Sequence, residues 1–299
     1  MKKIIEQLSA QVRRFSLFNR QAWLGAALLA SGASQAALEF QVYNPGDKGI
    51  FPVTATLVTG PQSAMLVDAQ FGVKDAAKLV EMIKQSGKTL RLVYISSGDP
   101  DFYFGLSVIR AAFPQVKIVA SQSVVTHIQQ TQAAKLAYWG PILADNAPKT
   151  LVTPEVSDQQ QLMLDGEVIE VKNINTHQAY LWAPASKTVF GGVAVSAGSH
   201  VWTADTQTKA ARTAWQQALA QISTLAPTRV IPGHFYGTEP QGLAAVTFTA
   251  DYLQAFETAL AKQPTSAAVM QQMQQQYPTL RGQESLAISA KVNTGEMKW

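Results

Sequence analysis

Two aspartates and a histidine lie at the ends of predicted strands and carry the strongest chemical signal. Asp99 and Asp101 flank a proline directly after the apolar segment 91–97. His234 follows a Pro-Gly pair at the end of the predicted strand 228–233. Carboxylates and imidazoles bind divalent metals, and they also transfer protons during hydrolysis. Asp99, Asp101 and His234 are therefore candidate functional residues.

Each aspartate also has a purely structural interpretation. Asp101 is well placed to cap a helix that we predict to begin near Phe102, which is a common role of aspartate. Asp99 precedes a proline, and Asp-Pro is ordinary turn chemistry. Both interpretations stay open beside the functional ones.

The remaining histidines and one serine carry weaker signals. His177 lies in a polar loop and His200 in the segment Gly-Ser-His-Val-Trp, whereas His127 falls within a predicted helix and is interpreted as structural. Ser97 has neither a neighbouring base nor a Gly-x-Ser-x-Gly turn, so we do not predict it as a nucleophile. The aromatic run 102–104 is interpreted as a space-filling cluster.

Hydrophobic periodicity predicts strands and helices in two successive halves. The first half has predicted strands at 38–44, 51–60, 63–70, 91–97 and 116–121 and helices at 73–86, 102–112 and 122–138. The second half has strand pairs at 161–173 and 180–192, a helix at 209–225, a strand at 228–233 and a mostly helical tail from Pro240. Two halves of this kind predict sheets packed together with helices outside.

The N-terminus predicts export. A basic region reaches Arg20, an apolar run spans 22–33, and Ser-Gln-Ala ends at Ala36. The apolar run is shorter than the roughly 20 residues that span a bilayer, so we predict a signal peptide at 1–36, cleaved after Ala36, and no membrane span in the mature chain. The pair Arg13-Arg14 also suggests the twin-arginine route. The mature protein is expected in the bacterial periplasm or outside the cell.

Charge and composition exclude several functions. The formal charge of +4 comes from the first 36 residues, since residues 37–299 contain equal numbers of basic and acidic side chains. A neutral mature chain argues against nucleic-acid binding. The absence of cysteine excludes disulfides and thiolate metal sites. The expected partner is a small-molecule ligand or substrate.

Three segments together resemble the metallo-β-lactamase fold superfamily. The segment 56–71 is similar to its opening hairpin with a buried aspartate, here Asp68; 92–106 is similar to its metal loop, and 229–235 to its strand ending in Pro-Gly-His. The segment 189–205 resembles the stretch that carries the family's bridging aspartate. The resemblance implies an α+β fold, a four-layer αββα sandwich, as a single domain over 37–299 with a helical C-terminal segment.

The resemblance keeps the frame of the metal loop but few of its ligands. Asp101 and His234 match family ligands, and the resemblance implies that they are catalytic residues facing one cleft. Ser97, Asp99 and Phe102 stand where the family has histidines, and Val193 where it has aspartate. The remaining histidine position falls on Ile174, or on His177 if a short gap is allowed.

The resemblance therefore implies one of two functions. The first is a hydrolase of an ester, lactone or amide bond with a reduced, mononuclear metal site, for which Zn is the candidate ion and Asp99, Asp101, His177 and His234 are the candidate ligands. The alternative is a non-catalytic binding or partner-interaction protein that has kept the scaffold and lost the metal.

Overall fold

A mixed six-stranded sheet forms in the first half of the chain. The structure, a computed structural model, describes residues 37–299; the predicted signal peptide lies outside the described residues. The strands are Glu39–Tyr43 (β1), Ala55–Thr59 (β2), Ser63–Val67 (β3), Thr89–Ile95 (β4), Lys117–Ala120 (β5) and Glu155–Val156 (β6), paired in that order. β1 to β3 are antiparallel. β3 to β6 are parallel, because each connection returns the chain to the end of the sheet at which the previous strand began.

Helices cover one face of this first sheet. They are Val73–Gln85 (α1), Pro100–Tyr103 (α2), Leu106–Ala112 (α3) and Gln122–Leu143 (α4). The apolar side of each helix is buried against the strands; in α1 this side contains Ala76, Leu79 and Ile83.

A five-stranded sheet forms in the second half. Its strands are Gln161–Leu164 (β7), Glu167–Lys172 (β8), Tyr180–Ala183 (β9), Thr188–Phe190 (β10) and Arg229–Val230 (β12), in the order β12-β10-β9-β8-β7. Asp165 and Gly166 both have positive φ, which is the geometry of a tight hairpin turn between β7 and β8. Ser196–Ala197 (β11) and His234–Phe235 (β13) form a separate parallel pair.

The second sheet is also covered by helices, and the two sheets pack face to face. The helices are Lys209–Thr224 (α5), Ala244–Lys262 (α6), Ser266–Gln276 (α7) and Gln283–Asn293 (α8). Their apolar sides form one core with β9, β10 and β12. Side chains of β2 to β5 meet those of β7 to β10 in a second core between the sheets. The predicted αββα architecture is confirmed. Within residues 37–299, no helix is both long enough and apolar enough to cross a membrane.

Two predicted elements are interrupted where the chain approaches the site. The helix predicted at 102–112 is divided into α2 and α3 at Gly105, whose N–H donates to the Gln70 carbonyl instead of continuing one helix. The strand predicted at 228–233 ends at Val230, and a new strand begins at His234. Both interruptions depend on tertiary contacts that local periodicity does not report.

Candidate functional site

A cavity of about 310 Å³ lies where α2, α4, β13 and the segment following β11 meet. All four predicted metal ligands, Asp99, Asp101, His177 and His234, line it. A concave site with a few converging polar groups is the usual form of a small-molecule site. The sequence-predicted residues are therefore brought to one place.

Asp101 and His234 form a direct pair in this cavity. Their Oδ2 and Nε2 atoms are 2.7 Å apart. Because an ionised carboxylate only accepts hydrogen bonds, the imidazole Nε2 donates, and Nδ1 is left as an acceptor. The Phe102 ring packs against the imidazole in a T-shaped arrangement, with centroids 5.5 Å apart. An imidazole oriented by a carboxylate in this way can accept and return a proton.

Asp99 lies among three basic side chains. Its carboxylate is 3.6 Å from Lys135 Nζ, 3.9 Å from His177 Nε2 and 4.0 Å from His127 Nε2. The Ser97 hydroxyl donates to Asp99 Oδ2 at 3.1 Å. The charge of Asp99 is thus balanced by a lysine that belongs to the chain itself.

The donors do not fit a metal ion. Across residues 37–299, no group of three or more His, Cys, Asp or Glu side chains is close enough to hold one. Instead of one set of ligands, the structure gives the pair Asp101–His234 and a separate cluster around Asp99, whose carboxylate faces Lys135. Phe102, at a family histidine position, is fully buried and packs with Val53 and Val193. Among the described residues, the expected three- or four-ligand site is therefore not assembled.

The structural interpretations of the aspartates have different outcomes. The N-cap position of α2 belongs to Asp99, whose side chain makes no capping hydrogen bond, and Asp101 lies within the first turn. Asp101 therefore does not cap the helix; its carboxylate binds His234. Ser97 does not line the cavity.

The other histidines are held in different environments. His200 lines the cavity but is only 2% exposed, and burial lowers its pKa to about 4, so it is neutral. Gln283 Nε2 donates to His200 Nε2 at 3.2 Å, and the Nδ1 atom lies 3.0 Å from the Tyr252 hydroxyl. Burial also lowers the pKa of His127, which lies on α4 as predicted and faces Asp99.

Asp68 is buried, as expected, and connects three loops at the base of the site. It accepts hydrogen bonds from the Ser96 N–H at 2.8 Å and the Ser96 hydroxyl at 2.6 Å. The same hydroxyl accepts from the Gly192 N–H at 2.7 Å. Burial raises the pKa of Asp68 to about 7. The ends of β3, β4 and β10 are thereby joined through two side chains.

Close backbone contact between glycines positions His234. A Cβ atom on Gly233 would lie 2.0 Å from the Gly192 carbonyl oxygen, and one on Gly192 would lie 2.0 Å from that of Ala179. Only glycine permits these approaches. They bring the residue before His234 against the turn that follows β10.

Sequence reasoning missed several side chains of the cavity. Lys135 reaches Asp99 from α4, and Ser196 is the register partner of His234. Trp202, Asp205 and Trp299 form another part of the wall. None belongs to a local motif. The only signal for Lys135 was its position about two helical turns from His127, on the same helix.

Comparison with solved structures shows the metallo-β-lactamase fold. The chain is similar to a metallo-β-lactamase family protein from Thermus thermophilus, with a TM-score of 0.60, 16% identity and coverage of 86% of this chain and 91% of that chain. A beta-lactamase domain protein from Burkholderia ambifaria gives a TM-score of 0.61 and 13% identity, covering 86% of this chain and 84% of that chain. No family model matches the chain. No curated protein matches it either.

Proposed function

We propose that this chain is an exported hydrolase of small esters, lactones or amides in which His234, oriented by Asp101, acts as general base and then general acid. The observation that supports the proposal is the 2.7 Å Nε2–Oδ2 hydrogen bond inside the cavity. The metallo-β-lactamase fold supplies a hydrolase-like scaffold. The chemistry proposed here uses the chain's own side chains.

The proposed reaction needs one proton to be taken up and returned. His234 Nδ1 takes a proton from water as the water oxygen bonds to the substrate carbonyl carbon. Collapse of the tetrahedral intermediate breaks the bond to the leaving oxygen or nitrogen, which receives the same proton from His234. Asp101 stabilises the imidazolium that forms in between.

Water, rather than serine, is the proposed nucleophile. Ser196 lies beside His234 in the β11–β13 register and lines the cavity. Within the described part of the chain, however, its hydroxyl makes no hydrogen bond to the imidazole. Ser196→Ala is therefore expected to keep most of the activity.

The alternative function is ligand binding without catalysis. It is favoured by the pairing of Asp99 with Lys135 at 3.6 Å, which leaves this carboxylate already neutralised. A measurement of substrate hydrolysis distinguishes the two functions.

The experiment measures hydrolysis of 4-nitrophenyl acetate, dihydrocoumarin and 4-nitroacetanilide by the purified mature chain. We expect His234→Ala to lower kcat/KM on the best substrate by about 10²- to 10⁴-fold, and Asp101→Asn to lower it as well, because each removes part of the proton-transfer pair. Asp145→Asn, at an exposed position away from the cavity, is the matched control and should change nothing.

Metal content is measured on the same preparations. Activity should survive chelator treatment and should not follow the zinc content. Equal turnover by wild type and His234→Ala, with both proteins folded, would contradict the proposal. Turnover of none of the substrates by a folded wild type would favour the binding protein.

A further inference from the structure

We propose that the cavity selects substrates carrying an organic cation, an ammonium group held by the wall that contains Trp202, Asp205 and Trp299. This inference rests on the proposed function because it names the substrate class of the same site. Binding of the cation is nevertheless measurable without turnover.

The charges that line the cavity are predominantly negative. Among the described residues, its wall contains four carboxylates, those of Asp99, Asp101, Asp205 and Glu284, and one lysine, Lys135. Lys135 compensates Asp99. His200 adds no positive charge, because its pKa is about 4. Even if His234 and His177 are both protonated, they face Asp101 and Asp99, so Asp205 and Glu284 have no ion-pair partner among the described residues.

Asp205 is the best placed of these two carboxylates. Its oxygens accept the indole N–H of Trp202 and, at 3.0 Å, that of Trp299. These donors fix the carboxylate without neutralising its charge, and no Lys, Arg or His of the described chain forms an ion pair with it. The result is a negative charge held in place by the N–H edges of two indole rings.

The neighbouring rings provide the second attraction. The Trp202 and Trp299 ring centroids are 5.1 Å apart with an interplanar angle of 69°, and the two rings turn their N–H edges to Asp205, so their faces lie beside the carboxylate. An ammonium group is attracted to the face of such a ring, most strongly to tryptophan. Lys135 Nζ lies 5.9 Å from the Trp299 ring centroid, so one face of this ring already has an ammonium group of the chain over it, and the ligand's ammonium is expected on the remaining faces.

The rim of the cavity suits the apolar part of such a molecule. Ile50 lines the cavity and is 42% exposed, and Tyr138, which is 50% exposed, packs against the lining residues Trp139 and Trp299. Exposed apolar side chains on or beside the cavity wall offer contact to the apolar part of a ligand. A cation with methyl or methylene groups satisfies both the rim and the charged wall.

The test compares three probes of similar size by isothermal titration at constant ionic strength. Choline carries the cation, 3,3-dimethylbutan-1-ol replaces its nitrogen by carbon, and isethionate carries a negative charge. We expect choline to bind at least about tenfold more tightly than the neutral alcohol, and isethionate to bind least. Asp205→Asn, which keeps the size and an acceptor oxygen, should remove most of this preference.

Two further variants keep the test decisive. Glu284→Gln, at an exposed position, should weaken choline binding to a smaller degree even if Asp205→Asn fails to fold. Asp145→Asn should leave it unchanged. Equal affinity for choline and the alcohol, or preference for isethionate, would overturn the inference.

Titration of choline into His234→Ala separates this inference from the proposed function. Choline preference retained in His234→Ala shows that the cation site does not depend on the proton-transfer residue, and choline preference in a folded wild type that hydrolyses none of the substrates supports the cation site and rejects the hydrolase. Hydrolysis without choline preference rejects the cation site alone.

Discussion

Asp68 is a single buried carboxylate whose pKa makes the stability of the fold depend on pH. Its hydrogen bonds from Ser96 stabilise the ionised form, but its complete burial outweighs them and raises its pKa from 3.8 to about 7. The folded chain therefore binds a proton here at a pH where the unfolded chain does not. That difference makes folding stability depend on pH.

Asp68→Asn should remove this pH dependence. The wild-type stabilisation is fully present below pH 3.8, the unfolded pKa, and is lost as the pH rises through about 7. The loss is roughly 4 kcal/mol at most for a shift of this size. Urea unfolding at several pH values between 4 and 8 should show the free energy of unfolding of Asp68→Asn falling less steeply than that of the wild type.

The control for this measurement is Asp145→Asn, whose carboxylate is exposed. Its stability should follow the wild-type profile. Parallel profiles for Asp68→Asn and wild type would show that Asp68 does not titrate in this range.

The strand β13 consists of two residues, His234 and Phe235. Its position is set by backbone contacts, since Thr54 N–H donates to the Gly233 carbonyl at 2.8 Å and Gly233 N–H to that of Val195 at 3.0 Å. Gly233 also approaches Gly192 at a distance that excludes a side chain. His234 is thus positioned by its neighbours in the fold more than by its own strand.

Gly233→Ala should therefore lower both stability and activity. A Cβ atom 2.0 Å from the Gly192 carbonyl forces the two backbones apart, at a cost of about 1–3 kcal/mol. The melting temperature and the His234-dependent turnover should fall together.

Gly140→Ala is the matched change on α4. A Cβ atom there meets only Leu136, at 3.9 Å, and alanine favours the helix. Its stability should stay the same or rise. A fully stable Gly233→Ala variant with normal turnover would show that the close approach does not position His234.

The elements differ in how well the sequence predicts them. α1 and α5 follow their hydrophobic spacing closely, because burial of one face defines them. α2 and α3 were predicted as one helix, because the break at Gly105 depends on a hydrogen bond to Gln70, distant in sequence. The sequence could match His177 to the family's histidine position only with a gap. Its contact with Asp99 depends on the path of the loop before β9.

At the scale of the whole molecule, the layers were predictable and the cavity wall was not. The order of strands and helices, together with the resemblance, gave the αββα sandwich. Lys135, Trp202 and Asp205 come from distant segments that meet only in the folded chain. Their types carry no local pattern, so only the tertiary structure relates them to the predicted pair Asp101 and His234.

The mature chain should begin at Ala37. The apolar run 22–33 is too short to anchor the protein, and Ser-Gln-Ala precedes the predicted cleavage position. Intact-mass measurement of protein recovered from the periplasm should give residues 37–299. Recovery of a chain that still contains Met1 as the main species would contradict this prediction.

The contact between Lys135 and Asp99 has a consequence for how the site is maintained. The cation that faces this carboxylate is attached to the chain through α4, so its local concentration does not change when the protein is diluted, dialysed or moved between compartments. Chelators cannot remove it, and no delivery system is needed to load it. The electrostatic balance around Asp99 is complete as soon as the chain has folded.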